Sequence, residues 1–207
     1  MQPAMHVLEM SRTPAFPLSE RSALRPLSLL AAIVAAVATI VFSSAQAFSV
    51  EGSSMAPSLH NGQLLVVNKL AYWRLDGTPI ARLLPDAQSG ASHYVFGGPR
   101  RGDMVVFQPP TTVEDGDFVK RLIGVPGDTV LVKAGQVFVN GELLDESYVK
   151  FPDDYTYPTD GTALRVPAGA YFVLGDNRGA SVDSHMGWFV PAENLVGPAV
   201  PLPLGSV

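Results

Sequence analysis

The sequence predicts a mainly β protein, a coiled antiparallel β-sheet domain with one N-terminal transmembrane helix. Two observations carry this prediction. From residue 63 onward, short runs rich in Val, Leu, Ile and Phe recur, each closed by Gly, Pro, Asn or Asp. That is the pattern of short strands divided by turns. Upstream, no charged side chain occurs from Pro26 to Val50, and a spanning helix needs about 20 apolar residues. The 207 residues leave room for one domain of about 150 residues beside an anchor.

In chain order, residues 1–25 are polar and mixed and read as a cytoplasmic tail. Residues 26–48 read as the anchor, densest in Leu, Ala, Val and Ile from Leu27 to Phe42. Arg12, Arg21 and Arg25 precede it and Glu51 follows, so the positive-inside rule places residues 49–207 outside the cytoplasm, at the cell membrane. A competing reading rests on Ala45-Gln46-Ala47, since a charged region, an apolar region and an A-x-A site also describe a cleaved signal peptide. The preceding stretch is long for that, and the retained anchor is the preferred reading.

Within the β region, Gln63–Lys69, Asp103–Phe107, Thr129–Lys133, Gln136–Val139 and Tyr171–Leu174 read as strands. Asn140-Gly141 is the strongest short hairpin signal among the turns. Residues 76–101 and 150–165 are Gly/Pro/Asp-rich and read as loops. There is no internal repeat.

Charged residues are only 16% of the chain against 47% hydrophobic, which permits a packed core. A net charge of −5 without a basic block argues against nucleic acid as a partner. The absence of cysteine excludes a thiol nucleophile, a disulfide framework and thiolate metal sites.

Two residues suggest chemistry. Ser54 stands in Glu51-Gly52-Ser53-Ser54-Met55-Ala56-Pro57, just past the apolar segment. Small residues before it let a carbonyl approach, Pro57 stiffens the far side, and the Ser54 N–H is placed to donate to an oxyanion. Met55 and Pro57 are expected to touch substrate. Even fully extended, the chain keeps Ser54 within about 14 Å of Val50. Lys120 stands in Phe118-Val119-Lys120-Arg121-Leu122-Ile123. In a strand it shares a face with Phe118 and Leu122, while Arg121 points the other way. Loss of hydration there favours the neutral amine. The reference lysine pKa is about 10.4, and a base useful near neutrality sits some 2–3 units lower, about 3–4 kcal/mol of differential solvation. The ordinary alternatives are a turn serine, with Ser53 and Ser58 nearby, and a snorkelling lysine.

A third cluster, Gly175-Asp176-Asn177-Arg178-Gly179-Ala180-Ser181-Val182-Asp183-Ser184-His185, is dense in hydrogen-bonding groups. Ser181 suits the orientation of an amine. Asp176 or Asp183 with Arg178 suits an ion pair that stiffens the loop. A solvated Asx-turn loop is the alternative. His6, His60, His93 and His185 are dispersed and read as incidental, so a Ser–His–Asp triad finds no support. Arg101-Gly102-Asp103 reads as a turn. Tyr72 and Trp73 suit either a membrane interface or the core.

Together these segments resemble the bacterial type I signal peptidases. "GSSMAPSL" is similar to that family's "SGSMxPTL" pattern, and "RRGDMVVF", "FVKRLIGVPGD" and "GDNRGASVDSHMGWFVPAENLVG" resemble its later motifs, in the same order. The resemblance covers roughly residues 48–107, 117–149 and 166–199. It implies that Ser54 attacks the scissile carbonyl, that Lys120 takes its proton, and that Ser181 orients Lys120, with Asp183, Asp176 and Arg178 as supports. It implies exported preproteins with small residues at −3 and −1 as substrates, an apolar surface on membrane lipid, and no metal or cofactor. Some members carry a serine where this chain has Gly52, leaving only backbone donation to the oxyanion. An Asp-Asn pair common in the family is Gly179-Ala180 here, and an arginine is His185, which loosens the pairing expected around Asp183. Two other functions fit the same residues: a pilin or conjugation maturation peptidase, and a tethered β domain without catalysis.

Overall fold

The computed structural model describes residues 20–75, 93–110, 116–150 and 152–203. The chain divides into two units, residues 1–42 and 43–207. Residues 1–19 of the expected tail and 76–92 of the first expected loop lie outside the described residues.

The first unit contributes helix α1, Glu20–Ser43, which includes Pro26. It starts earlier than expected, within the segment read as tail, because Glu20 to Leu24 is a run of adequate helix formers. It also ends earlier. Ala45–Phe48, assigned to the anchor from hydrophobicity alone, form a strand instead. Described α1 side chains from Pro26 to Phe42 are exposed around the whole helix, including Leu27, Ile33, Val37 and Phe42. Among the described residues, no helix is long and apolar enough to cross a membrane.

The second unit is antiparallel β, as the sequence predicts. A seven-stranded sheet contains β1 (Ala45–Ser49), β2 (Leu64–Asn68), β3 (Met104–Phe107), β4 (Phe118–Gly124), β9 (Ala170–Leu174), β10 (Val190–Pro191) and β11 (Leu195–Pro201). Their order is β1-β2-β11-β3-β4-β9-β10. A four-stranded sheet of order β7-β6-β5-β8 contains β5 (Thr129–Lys133), β6 (Gln136–Val139), β7 (Glu142–Leu143) and β8 (Leu164–Arg165). The Asn140-Gly141 turn is formed as expected: φ is 54° and 84° at the two residues, and Val139 pairs with Glu142 across it. Those positive φ values match the right-handed twist of the flanking strands. The second expected loop is partly ordered by pairing, since Leu164 and Arg165 pair with β5 and Tyr157 bridges Val132.

Strand alternation distributes the core. Along β3, Val105 and Phe107 enter one apolar cluster with Leu122, Tyr171 and Val173, while Val106 enters another with Val50, Met55, Leu59 and Leu65. A third cluster, including Ile123, Val130, Val137 and Phe172, draws on both sheets. Burying each such side chain contributes about 1.5–3 kcal/mol. The seven-stranded sheet is therefore covered by apolar groups on both faces of β3 and held in register at its centre, where the candidate site lies.

Candidate active site

Sheet order brings the three sequence segments together. Val50 and Gln63 are tied by the Val50 N–H to Gln63 O bond of 2.9 Å and the Gly62 N–H to Val50 O bond of 2.8 Å. The loop between them carries Ser54. Lys120 lies in β4, opposite Val105 of β3. On its other side β4 pairs with β9, Arg121 facing Leu174, so the loop after β9 emerges beside the lysine strand.

Lys120 Nζ lies 2.8 Å from Ser54 Oγ and donates to Val119 O at 3.1 Å. The lysine is only 4% exposed. Its Nζ sits 5.0 Å from the Phe118 ring centre, and Phe118 and Leu122 join the same apolar cluster, so the face expected from alternation is the one observed. Arg121 turns away, as expected.

A groove of ≈ 530 Å³ runs over this pair. Phe48, Val50, Leu65, Val106, Val119 and Val182 supply much of its apolar wall. Gly52 lies on its edge with φ +82°, and a Cβ built there would meet nothing within 4 Å. Its N–H donates to Asn61 Oδ1 at 2.9 Å. The Ser54 N–H donates to no acceptor among the described residues.

The loop after β9 clamps the serine segment. Asn177 donates its N–H to Ser54 O at 3.0 Å and its Nδ2 to Ser53 O at 3.1 Å. A Cβ on Gly175 would lie 2.2 Å from Ser181 Oγ and 2.6 Å from Ser54 O. Only a residue without a side chain lets these two groups approach. The sequence reading assigned Gly175 and Asn177 no individual role. A glycine before Asp-Asn reads equally as a turn, and nothing local says which strand it will face.

Several expected contacts are replaced by others. Ser181 Oγ is buried near Gly175 but forms no hydrogen bond among the described residues, so the expected contact with Lys120 is not made. Asp176 does not pair with Arg178. It is fully buried and accepts from Arg121 Nε and Nη2 at 2.8 and 2.6 Å. Arg178 instead pairs with Glu146, at 3.0 Å through Nη1 and by a shorter contact through Nη2, and its Nε donates to Gly175 O at 3.0 Å. Asp183 does not meet Arg178 either. It accepts from Gly175 N at 2.9 Å and lies 2.6 Å from His185 Nδ1. Arg121 on β4 and Glu146 in the segment after β7 are closer than the in-loop partners, and that proximity decides the pairing.

Pairing around Asp183 is thus not loosened. His185 takes it up, and the hydrogen bond that the imidazole donates to Asp183 holds it above its ordinary pKa against the opposing effect of burial. The reading of His185 as incidental is corrected. Met55 is also corrected: at 1% exposure it packs with Val50 and Leu59 in the core and does not line the groove. Its apolar chain is more favourably placed out of water than along an open cleft. Pro57 is exposed and is likewise absent from the groove wall. Of the interfacial candidates, Tyr72 is buried and donates to Asp103 Oδ2 at 3.1 Å, whereas Trp73 is 53% exposed beside Phe96.

The antiparallel β domain thus carries a groove with a hydroxyl and a buried amine in contact on its wall. The signal peptidase family, peptidase S26, matches residues 23–202. A signal peptidase I of Leptolyngbya laminosa is 36% identical over 162 residues, 75% of this chain and 67% of that protein. A signal peptidase I of Bacillus caldolyticus is 37% identical over 175 residues, 80% of this chain and 81% of that protein. A solved signal peptidase I from Enterococcus faecalis V583 is 35% identical, with a TM-score of 0.42 over 48% of this chain and 95% of that one. The chain belongs to the signal peptidase family, peptidase S26, and is a serine peptidase.

Proposed function

We propose that this protein is a membrane-attached endopeptidase that removes N-terminal signal peptides from exported preproteins with a Ser54–Lys120 dyad. The observation that carries the reading is the 2.8 Å contact between Ser54 Oγ and a lysine amine only 4% exposed. An ammonium held there forfeits most of its hydration, which is the condition for a neutral amine to serve as base.

The substrate lies extended in the groove and is held by backbone hydrogen bonds. Neutral Lys120 accepts the Ser54 proton as Oγ bonds to the scissile carbonyl carbon. The oxyanion faces the Ser54 N–H, and Gly52 contributes no hydroxyl to it. Collapse breaks the C–N bond, and the Lys120 ammonium returns its proton to the departing amine. Lys120, neutral again, takes a proton from water as the water oxygen bonds to the acyl carbon, and returns that proton to Ser54 Oγ as the acyl–oxygen bond breaks. The apolar wall beside Ala180 and Val182 suits the small side chains at −1 and −3 that the family resemblance implies. Asp176, Arg178 and Asp183 act as supports of this geometry through their hydrogen bonds, and Ser181 through its packing near Gly175.

The attachment rests on α1, which presents apolar side chains all round; such a helix belongs in a core or in lipid. Arg21 and Arg25 at its start favour a cytoplasmic N-terminus and an extracytoplasmic β domain. Carbonate extraction of cell membranes, with protease added from either side, checks both points.

The test of the dyad uses the detergent-solubilised full chain and a preprotein. Ser54→Ala and Lys120→Ala each abolish cleavage while the β signal in circular dichroism is retained. Full activity in either variant refutes the assignment.

A further inference from the structure

Behind the groove, the segment that follows β7 reaches the site from a distance. Glu146 and Tyr148 follow β7, outside every strand and loop that carries Ser54, Lys120 or Ser181. Glu146 nevertheless receives both terminal nitrogens of Arg178, and it accepts the Tyr148 hydroxyl at 2.9 Å. Arg178 passes on to Gly175 O through Nε at 3.0 Å. The face of the Tyr148 ring lies 3.9 Å from Arg121 Cζ. Arg121 is the neighbour of Lys120 and holds Asp176, the neighbour of Gly175, through two hydrogen bonds.

The contacts therefore close a circuit. From Lys120 it runs through Arg121 to Asp176 and Gly175, and it returns from Gly175 through Arg178, Glu146 and Tyr148 to Arg121. Gly175 is the residue packed against Ser54 O and Ser181 Oγ. The four charged side chains are between 0% and 12% exposed. Buried ion pairs of this kind add little net stability over apolar packing, because each charge loses its hydration. What a fully satisfied network does supply is one fixed arrangement of the groups it joins.

We propose that Glu146 and Tyr148 are positioning residues, which hold the Lys120 strand and the Gly175 loop at the separation that keeps Ser54 Oγ and Lys120 Nζ in contact. Glu146 acts through Arg178 on the Gly175 carbonyl, and Tyr148 acts through its ring on Arg121. Neither touches the groove. The inference rests on the peptidase reading above.

The experiment measures preprotein cleavage by the full chain in detergent, together with the rate of Ser54 acylation by a serine-directed probe. In Glu146→Gln and in Tyr148→Leu, kcat and the acylation rate fall about tenfold, while KM stays within about twofold and the fold is retained by circular dichroism. Tyr148→Phe keeps the ring under Arg121 and retains most of kcat, the conservative rescue that a general loss of stability does not give. Should Glu146→Gln not fold, the comparison of Tyr148→Leu with Tyr148→Phe decides alone. Folded variants with wild-type kcat, or a loss confined to KM, overturn the inference and leave the peptidase reading intact. Cleavage that survives Ser54→Ala overturns both.

Discussion

Gly175 has no side chain, yet it sets how closely the two loops of the site approach. A methyl group there would press on Ser54 O and Ser181 Oγ at 2.6 and 2.2 Å. Gly175→Ala is expected to cost about 1–3 kcal/mol of stability through overpacking and to lower kcat about a hundredfold by displacing the serine. Thermal melts and steady-state kinetics separate the two effects. His185 allows a pH test. Asp183 holds the imidazole above its ordinary value, so the folded protein binds that proton more tightly than the unfolded chain. This stabilisation is complete below the unfolded histidine pKa, about 6.5, and is lost as pH rises through the raised folded value. The melting temperature of the wild type, relative to His185→Gln, is therefore expected to fall across that interval. Calorimetry in matched buffers reads the difference, and a gap that does not change with pH refutes the pairing. At this scale the sequence pointed to Lys120 through its strand neighbours Phe118 and Leu122, which share its face, and to Ser54 through the small residues and proline that flank it. It was uninformative for the partners of Asp176, Arg178 and Asp183, because those come from β4, the segment after β7 and a histidine that spacing does not mark.

Most strands were legible as elements. Gln136–Val139 ends at Asn140-Gly141, and the local turn chemistry alone determines the β6–β7 hairpin. Three strands of the larger sheet were not legible: β1, β11 and the two-residue β10. β11 contains Pro198 and Pro201 and still lies between β2 and β3, with a register shift between Leu195 and Gly197. Proline argues against a central strand, and the irregular register lets the chain lie there with fewer ladder bonds. β1 was hidden in a run whose apolar character also suits a helix. It pairs with β2 from Ala45–Asn68 to Ser49–Leu64, and this covers an edge that would otherwise present unpaired groups. Truncation is expected to show the difference. A chain beginning at Ser44 keeps β1 and melts near the temperature of the full protein, whereas one beginning at Glu51 melts several degrees lower, as loss of about 1–2 kcal/mol implies. Equal melting temperatures would show that β1 adds nothing.

For the whole molecule, the two units make separable contributions. Residues 43–207 contain the groove, the dyad and both sheets, and α1 supplies the exposed apolar surface. A chain beginning at Ser44 is expected to cleave a short soluble peptide at close to the full rate, to lose the preference for membrane-presented preprotein, and to stop floating with liposomes. Flotation and paired kinetics check this. Retained flotation would move the attachment to the β domain, where Trp73 and Phe96 are exposed side by side.

By itself the sequence determined the β class, the Asn140-Gly141 hairpin and the apolar run that forms α1, and it singled out Ser54 and Lys120 as the candidate pair. Each of these follows from side-chain period, turn residues or immediate neighbours, all of which are local. Only the tertiary structure decided that Asn177 and Gly175 hold the serine, that Met55 belongs to the core, that β11 lies at the centre of the sheet, and that Glu146 reaches the site. Those facts depend on which strands become neighbours. Strand order follows from the burial of whole faces, a property of the folded sheet that no short segment carries.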